Sequence, residues 1–289
     1  MRVFVVITVH NRKEYTRACL NSLRKQANSA FSVVLVDDGS TDGTREMIRN
    51  EFPEITLLEG DGRLWWTGAT NLGIQHVLQI CQPDDYVLLL NNDLVLPLDY
   101  IGKALEVAAQ KPDSLIGSVV THISEKDRIY KGGVKINWKT ARWTDPNAGK
   151  KLSEFPTDYI LEVSTLTGRG VLIPTEVFKI IGLYNIDHFL QCGDTELPVR
   201  AARADYRLVV SYNMVVYSYP NDKNHINYKD EYRLSDMKEF FLSIKSNTNL
   251  KYRYWFARSI STNKWLVVRY LIFDMTRVVS HFFRHVKLI

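Results

Sequence analysis

Three acidic or amide-rich clusters carry the oxygen chemistry of this sequence: Asp37-Asp38, Asn91-Asn92-Asp93, and Asp194 with Glu196. Carboxylates so placed serve as hydrogen-bond acceptors, as ligands of hard cations, or as proton acceptors. Asp38 is read as facing a ligand edge, where it would accept an N–H such as that of a pyrimidine; Asp37 either shares that work or turns the chain. Gly39 permits a tight turn there, and Ser40 or Thr41 would cap the next helix. The segment Thr8–Arg12, "TVHNR", lacks the glycine-rich turn of a dinucleotide site, so phosphates must be held another way. A divalent cation, Mn2+ or Mg2+, on Asp93 is the economical solution; the plain alternative is that "NND" is an Asn-rich turn. Trp65 and Trp66, followed by Thr67 and Gly68, offer a flat apolar face beside a polar neighbour, as a sugar ring needs, with one of the two indoles expected to be core. Gly168 and Gly170 suit close approach of the backbone to a ligand, and Arg169 between them would meet an acceptor or a diphosphate, or simply occupy a turn.

These residues need a frame. "VFVVITV" (3–9), "FSVVLVDD" (31–38) and "YVLLLN" (86–91) are nearly continuous apolar runs, the mark of strands buried on both faces of a parallel sheet. Helices are expected between them: one carrying Tyr15, Cys19, Leu20 and Leu23 at helical spacing, one near 44–50, and one over 67–81, with another over 97–110. The alternation predicts a doubly wound α/β sheet with its ligand edge at the strand C-termini. After about residue 111 the rhythm changes to isolated strands ("SLIGSVVT", "IYKGGVKIN", "TLTGRGVLIP") and a helix near "TEVFKIIG". No repeat or flexible linker interrupts this half, which is expected to pack on the same sheet. One boundary is drawn near Ser235.

The 289 residues are 45% hydrophobic and 24% charged, an ordered globular composition. The net charge of +5 is uneven: residues 235–289 carry +7, which leaves the body slightly acidic and excludes a nucleic-acid-binding surface spread over the fold. Three cysteines without a CxxC pair suggest neither disulfides nor a zinc site. With no signal-peptide pattern at the start, the expectation is a cytoplasmic protein.

"VITVHNR", "VDDGSTDGT", "LLLNNDLVL", "TGRGVLIP" and "GDTELPVRA" occur in the order and approximate spacing of the family 2 glycosyltransferases, and together they resemble that family over about residues 1–220. The resemblance implies a GT-A fold and an inverting, metal-dependent transfer of sugar from a nucleotide-sugar donor. It makes Thr8, Asn11 and Arg12 nucleotide contacts and Asp38 the base-binding carboxylate. Asn91-Asn92-Asp93 falls at the DxD position; Asn91 departs from the pattern and would hydrogen-bond a ribose hydroxyl, while Asp93 keeps the metal role. Asp194 falls at the catalytic base. Glu196, two residues on, would point elsewhere in a strand or lie about 200° away in a helix. Arg200 matches the motif and would orient a carboxylate or phosphate, or form a surface ion pair. Many members add a metal-binding histidine after the last strand; here that region has Tyr217 and Ser218, and His225 further on is the candidate. "GDGRLWWTGATNLGI", which includes Asn71, resembles the sugar- and acceptor-side segment of the bacterial rhamnosyltransferase branch. That points to a dTDP-rhamnose or UDP-hexose donor and a cell-surface glycan or lipid-linked acceptor. The alternative is a non-catalytic nucleotide-sugar-binding scaffold of the same fold.

The expected organisation is a catalytic domain over 1–234, with its nucleotide half at 1–111 and acceptor half at 112–234, and a basic helical tail over 235–289. At 100° per residue, Trp265, Val268, Leu271, Ile272, Met275, Val279, Phe282, Phe283 and Val286 gather on one side of the tail helix, with Arg269, Arg277, Arg284 and Lys287 on the other. Such a helix suits an anionic membrane surface, with peripheral attachment at the inner face of the plasma membrane. The alternative is packing on the domain or on a second copy in a homodimer.

Overall fold

The computed structural model describes residues 1–220 and 231–287. Its first half alternates as the apolar runs require: β1 (Val3–Val9), α1 (Lys13–Arg24), β2 (Phe31–Asp38), α2 (Thr44–Glu51), β3 (Thr56–Gly60), α3 (Trp65–Ile80), β4 (Tyr86–Asn91), the two-residue β5 (Leu94–Val95) and α4 (Tyr100–Gln110). The second half follows with β6 (Ser114–His122), β7 (Glu125–Lys131), β8 (Lys135–Asn137), β9 (Arg142–Thr144), β10 (Ile160–Glu162), β11 (Val171–Pro174), α5 (Thr175–Ile181), α6 (Glu196–Arg203) and β12 (Arg207–Ser218). The chain ends in α7 (Met237–Leu242), α8 (Leu250–Ile260) and α9 (Lys264–His285). The single strand expected over 129–137 is broken at Gly132-Gly133 into β7 and β8, because Asp145 accepts both glycine N–H groups.

One mixed sheet in the order β10-β12-β6-β11-β4-β1-β2-β3 organises the molecule. β1 pairs in parallel with both β2 and β4, in a register that sets Thr8 between Val36 and Asn91. The C-terminal ends of these strands therefore meet along one edge, where doubly wound sheets bind ligands. β11 runs antiparallel to β4, so its N-terminal end lies at that same edge, with Val171 opposite Leu89. Apolar side chains bury on both faces: Val5, Ile7, Leu35 and Leu88 under α1 and α4, and Phe4, Val6, Val87 and Leu89 under α3 and α5. On α1, Cys19, Leu20 and Leu23 enter the core as expected, but Tyr15 stays out and its ring meets Tyr219 at 4.8 Å.

The C-terminal helices complete the body. Tyr252, Phe256, Val267 and Tyr270 form one core cluster with Ile136, Ala141, Phe189 and Val199. Inside it, buried Asp274 takes the Arg253 guanidinium at 2.7 Å, and Arg277 donates to the carbonyls of Thr140 and Ala141. The expected apolar face of α9 is thus divided. Phe282 packs inward and Leu271 and Val286 are partly covered, whereas Trp265, Val268, Ile272, Val279 and Phe283 are exposed. The basic face is divided too: Arg277 is held by the domain and Lys287 pairs with Glu231. No described helix is long and apolar enough to cross a membrane.

Candidate active site

The loop after β1 is built on two left-handed residues, Asn11 (φ 60°) and Arg12 (φ 64°). Their strain is balanced by bonds across to the next loop: the Asn11 N–H donates to Ser40 Oγ at 2.7 Å, and Asn11 Oδ1 accepts the Thr41 N–H at 2.9 Å. Ser40 and Thr41 therefore tie this edge together and do not cap α2, as the sequence suggested. Asp42 does the capping, accepting the first-turn N–H groups of both α1 (Lys13, 2.9 Å) and α2 (Thr44, 3.1 Å). Asp37 is the turn residue of its pair: fully buried, it accepts the Ser40 N–H and binds Arg45 at 2.9 Å.

Asp38 takes a place the sequence did not foresee. It is buried, and its carboxylate accepts the N–H groups of Gly62 (2.8 Å), Leu64 (3.3 Å) and Trp65 (2.9 Å). It is a long-range cap on α3, where an anion also meets the positive end of the helix dipole. The carboxylate expected to greet a base instead fixes the tryptophan-bearing helix.

At the end of β4 the three polar residues part company. Asn91 Oδ1 accepts the Trp66 indole N–H at 3.3 Å. Asn92 is buried and donates to Thr16 Oγ1 on α1 at 3.0 Å, so it faces away from the ligand edge and is corrected to a packing residue. Asp93 stays at the edge, its carbonyl held by the Tyr219 N–H at 3.1 Å. Asp93 Oδ1 is buried with no hydrogen-bond partner, and Oδ2 lies 3.8 Å from Arg12. An unsatisfied buried carboxylate oxygen is costly, and a cation is the natural complement. The described residues contain no group of three or more His, Cys, Asp or Glu placed to share an ion, and Asp93 is the carboxylate that one here would meet. His225 lies outside the described residues.

The remaining candidates form a second wall, tied to the first through Trp66. This indole meets Tyr184 edge-on at 5.4 Å and lies so close to Gly168 that a Cβ there would fall 2.6 Å from Trp66 Cζ2. Gly170 (φ +82°) donates to Leu89 O at 2.9 Å, which anchors the loop beside β4. The Gly168 N–H in turn donates to Asp194 Oδ2 at 3.2 Å. Burial pushes the Asp194 carboxyl above its ordinary pKa, partly offset by that N–H and by the Arg169 charge. Arg169 donates to Ser218 Oγ at 3.0 Å.

Several residues expected to touch sugar or acceptor support this wall from behind. Asn71 makes two hydrogen bonds to the main chain of Tyr184, at 2.8 and 3.0 Å. Thr67 is fully buried beneath Gly193, its hydroxyl without a partner. Buried Glu196 binds Arg200 at 2.6 Å, and Arg200 spends its other nitrogens on the carbonyls of Ile181 and Leu183. These four are corrected to positioning roles. Trp65 keeps a partly exposed ring, with Lys245 Nζ 5.8 Å from its centre, and Gly68 lies beside it on the same turn. Sequence reasoning missed Tyr184, and missed that α8 and the turn before it brace the Asp194 loop: His188 stacks on Trp255 of α8 at 3.5 Å, and Cys192 Sγ donates to Asn247 in the turn at 3.3 Å.

Residues 4–160 match the family model described as Glycosyl transferase family 2. The N-acetylglucosaminyl-diphospho-decaprenol L-rhamnosyltransferase of Mycobacterium tuberculosis is 26% identical over 223 residues, covering 70% of this chain and 71% of that protein. Glycosyltransferase AglE of Haloferax volcanii is 35% identical over 226 residues, 74% of this chain and 65% of the relative. Among solved structures, GalNAc-T7 with UDP, GalNAc and Mn2+ superposes with a TM-score of 0.61 at 13% identity, covering 98% of this chain but 57% of the other. The mannosyltransferase PcManGT of Pyrobaculum calidifontis, with GDP-Man and Mn2+, gives 0.60 at 14% identity, covering 96% and 73%. These likenesses establish the GT-A arrangement of sheet and helices.

Proposed function

The chain belongs to glycosyl transferase family 2 and is a glycosyltransferase, and we propose that it moves a sugar, with inversion, from a nucleoside-diphosphate sugar to a hydroxyl of a cell-surface glycan or lipid-linked oligosaccharide. The proposed donor is dTDP-rhamnose or a UDP-hexose, and the likeness to the mycobacterial L-rhamnosyltransferase supports the rhamnosyl group.

The observation that carries this reading is the Asp194 carboxylate: raised in pKa by burial, aimed by the Gly168 N–H, and joined through Gly168 and Trp66 to the strand end that bears Asp93. A base of raised pKa holds a proton more firmly, which matches the task of removing one from an acceptor hydroxyl as its oxygen attacks the anomeric carbon. Thr8, Asn11 and Arg12 are the proposed nucleotide contacts, with the Asn91 amide N–H2 on a ribose hydroxyl. Asp38 contributes by fixing the start of α3. Asp93 would hold Mn2+ or Mg2+, which when bound offsets the charge of the diphosphate. Trp65, Gly68, Gly168 and Arg169 are the proposed sugar- and acceptor-side contacts.

Attachment to an anionic membrane at the cytoplasmic face is proposed through the outer side of α9. Its exposed Trp265, Val268, Ile272, Val279 and Phe283 accompany a segment of charge +7, whose one deeply buried acid, Asp274, is neutralised internally.

Asp194→Asn tests the central assignment. The variant is expected to keep nucleotide affinity by calorimetry and to lose transfer by on the order of 10²-fold or more. Wild-type turnover in this variant removes Asp194 from the role of base.

A further inference from the structure

Two strand pairings link Asp93 to a second recess. Leu94, next to Asp93, pairs with Ser218, and Ser218 pairs with His122 at the end of β6. Two strand spacings amount to about 10 Å, the span of a short oligosaccharide. There the β6–β7 hairpin opens into a cavity of about 310 Å3. The hairpin residues His122, Glu125, Arg128, Ile129 and Tyr130 line it together with Ala148 and Gly149. That volume lies at the small end of ligand sites, which run from about 300 to 1,000 Å3.

We propose that this cavity is a subsite for a neutral, hydroxyl-rich sugar ring of the acceptor, remote from the reacting hydroxyl. The proposal rests on the glycosyltransferase reading above for the word acceptor, but the cavity's own chemistry specifies the sugar. The His122 and Tyr130 rings lie 4.3 Å apart, tilted by 37°, and give an apolar wall of the kind a pyranose ring packs against. His122 Nδ1 is buried without a hydrogen-bond partner, and a turn of the imidazole would offer it to a hydroxyl, which answers it in either tautomer because it both donates and accepts. Glu125 and Arg128, paired at 3.6 Å and more than half exposed, add an acceptor and a donor whose charges cancel. A neutral polyol suits that pair better than an anion, and the further cations Lys131 and Arg169 are engaged over the Tyr130 ring at 5.2 and 6.0 Å.

The recess is also built and open. The Ile129 N–H donates to Lys150 O at 3.0 Å and the Gly149 N–H to Ile129 O at 2.8 Å, which fixes the 147–150 loop against β7. Gly149 has φ +83°, and a Cβ there would meet nothing within 4 Å. Towards the reacting centre, Tyr130 faces the Arg169 guanidinium at 6.0 Å, and Arg169 follows directly on Gly168, the donor to Asp194. A chain lying from Asp194 past Arg169 would bring its distal ring to His122.

The test uses the full chain with saturating UDP or dTDP and Mn2+, so that the donor site is occupied. Saturation-transfer NMR is recorded with free L-rhamnose, D-glucose and N-acetyl-D-glucosamine as probes. Binding of at least one sugar is expected, weakened about tenfold or more by Ala148→Trp, which fills the recess from an exposed position, and by the Glu125→Ala/Arg128→Ala double variant. Equal signals in wild type and Ala148→Trp, or no sugar bound at all, overturn the proposal. Donor hydrolysis, measured in parallel, separates the two readings. Sugar binding at the recess without hydrolysis of any nucleotide sugar counts against the transferase and supports the subsite. Intact hydrolysis without recess binding overturns the subsite alone.

Discussion

Gly168→Ala isolates the contact on which the site's alignment depends. Gly168 does not occupy the left-handed region, so alanine adds only volume. Its Cβ would lie 2.6 Å from Trp66 Cζ2, whereas carbon atoms rest at about 3.5 Å or more, so a displacement of about 1 Å is required. Trp66 cannot supply it freely, being held by Asn91 at 3.3 Å and by the Tyr184 ring. The 167–169 segment must then move, and the 3.2 Å hydrogen bond from Gly168 to Asp194 is lost. Overpacking of this size costs about 1–3 kcal/mol of stability, and a misplacement of about 1 Å at the base costs about 10²-fold in rate. The assay is steady-state transfer with donor affinity measured by calorimetry: kcat should fall by about that factor while nucleotide affinity holds. Trp66→Phe in the same background should recover part of the loss, a coupling of about 0.5–3 kcal/mol in a double-mutant cycle. A Gly168→Ala enzyme with wild-type kcat, or a cycle without coupling, refutes the reasoning.

Four further outcomes are expected. Asp194 must be ionised to accept a proton, so kcat/KM should fall on acidification with an apparent pKa above the ordinary carboxylate value; a profile flat down to that value contradicts the assignment. By the same sign, folding disfavours ionised Asp194, so Asp194→Asn should melt higher than wild type at neutral pH, with the advantage vanishing below the unfolded-state pKa. Asp93→Ala should weaken nucleoside-diphosphate binding in Mn2+ by about tenfold or more and remove its dependence on the ion; calorimetry showing no change excludes Asp93 as the ligand. The exposed pair Trp265→Ser/Phe283→Ser should abolish flotation with phosphatidylglycerol vesicles at unchanged thermal stability, and undiminished flotation sinks the membrane reading.

The frame was legible because parallel strands buried on both faces write themselves as apolar runs, and the ends of those runs deliver Asp38, Asp93 and the 8–12 loop to one edge. What each polar residue does there was less legible. Asn71 and Tyr184 are 113 positions apart, yet their mutual hydrogen bonds decide that Asn71 serves the wall and not the sugar. Asp38 caps a helix 26 and 27 residues downstream, and nothing local announces a cap at that distance. Asn92, Glu196 and Arg200 fall to the same cause: spacing sets direction along one element, whereas the partner that consumes a polar group is supplied by another. Asp194 was singled out because "GDTELPVRA" resembles the family's acidic motif, but its raised pKa comes from burial that only the packed structure defines.

Helix α9 shows how a choice between two readings can be misposed. Sequence periodicity offered one apolar face, to be spent either on the domain or on a membrane. In the structure, Val267, Tyr270, Val278 and Phe282 are buried inward, while Trp265, Val268, Ile272 and Phe283 remain on the outer side. Each inward side chain contributes about 1.5–3 kcal/mol of burial, and the Asp274–Arg253 pair at 2.7 Å fixes the helix about its axis. Holding α9 in place thus consumes none of the outward side chains. Membrane contact therefore requires no detachment of the helix, and because α8 braces the loop of Asp194, lipid bound to α9 would act on a part of the molecule already continuous with the wall that carries Asp194.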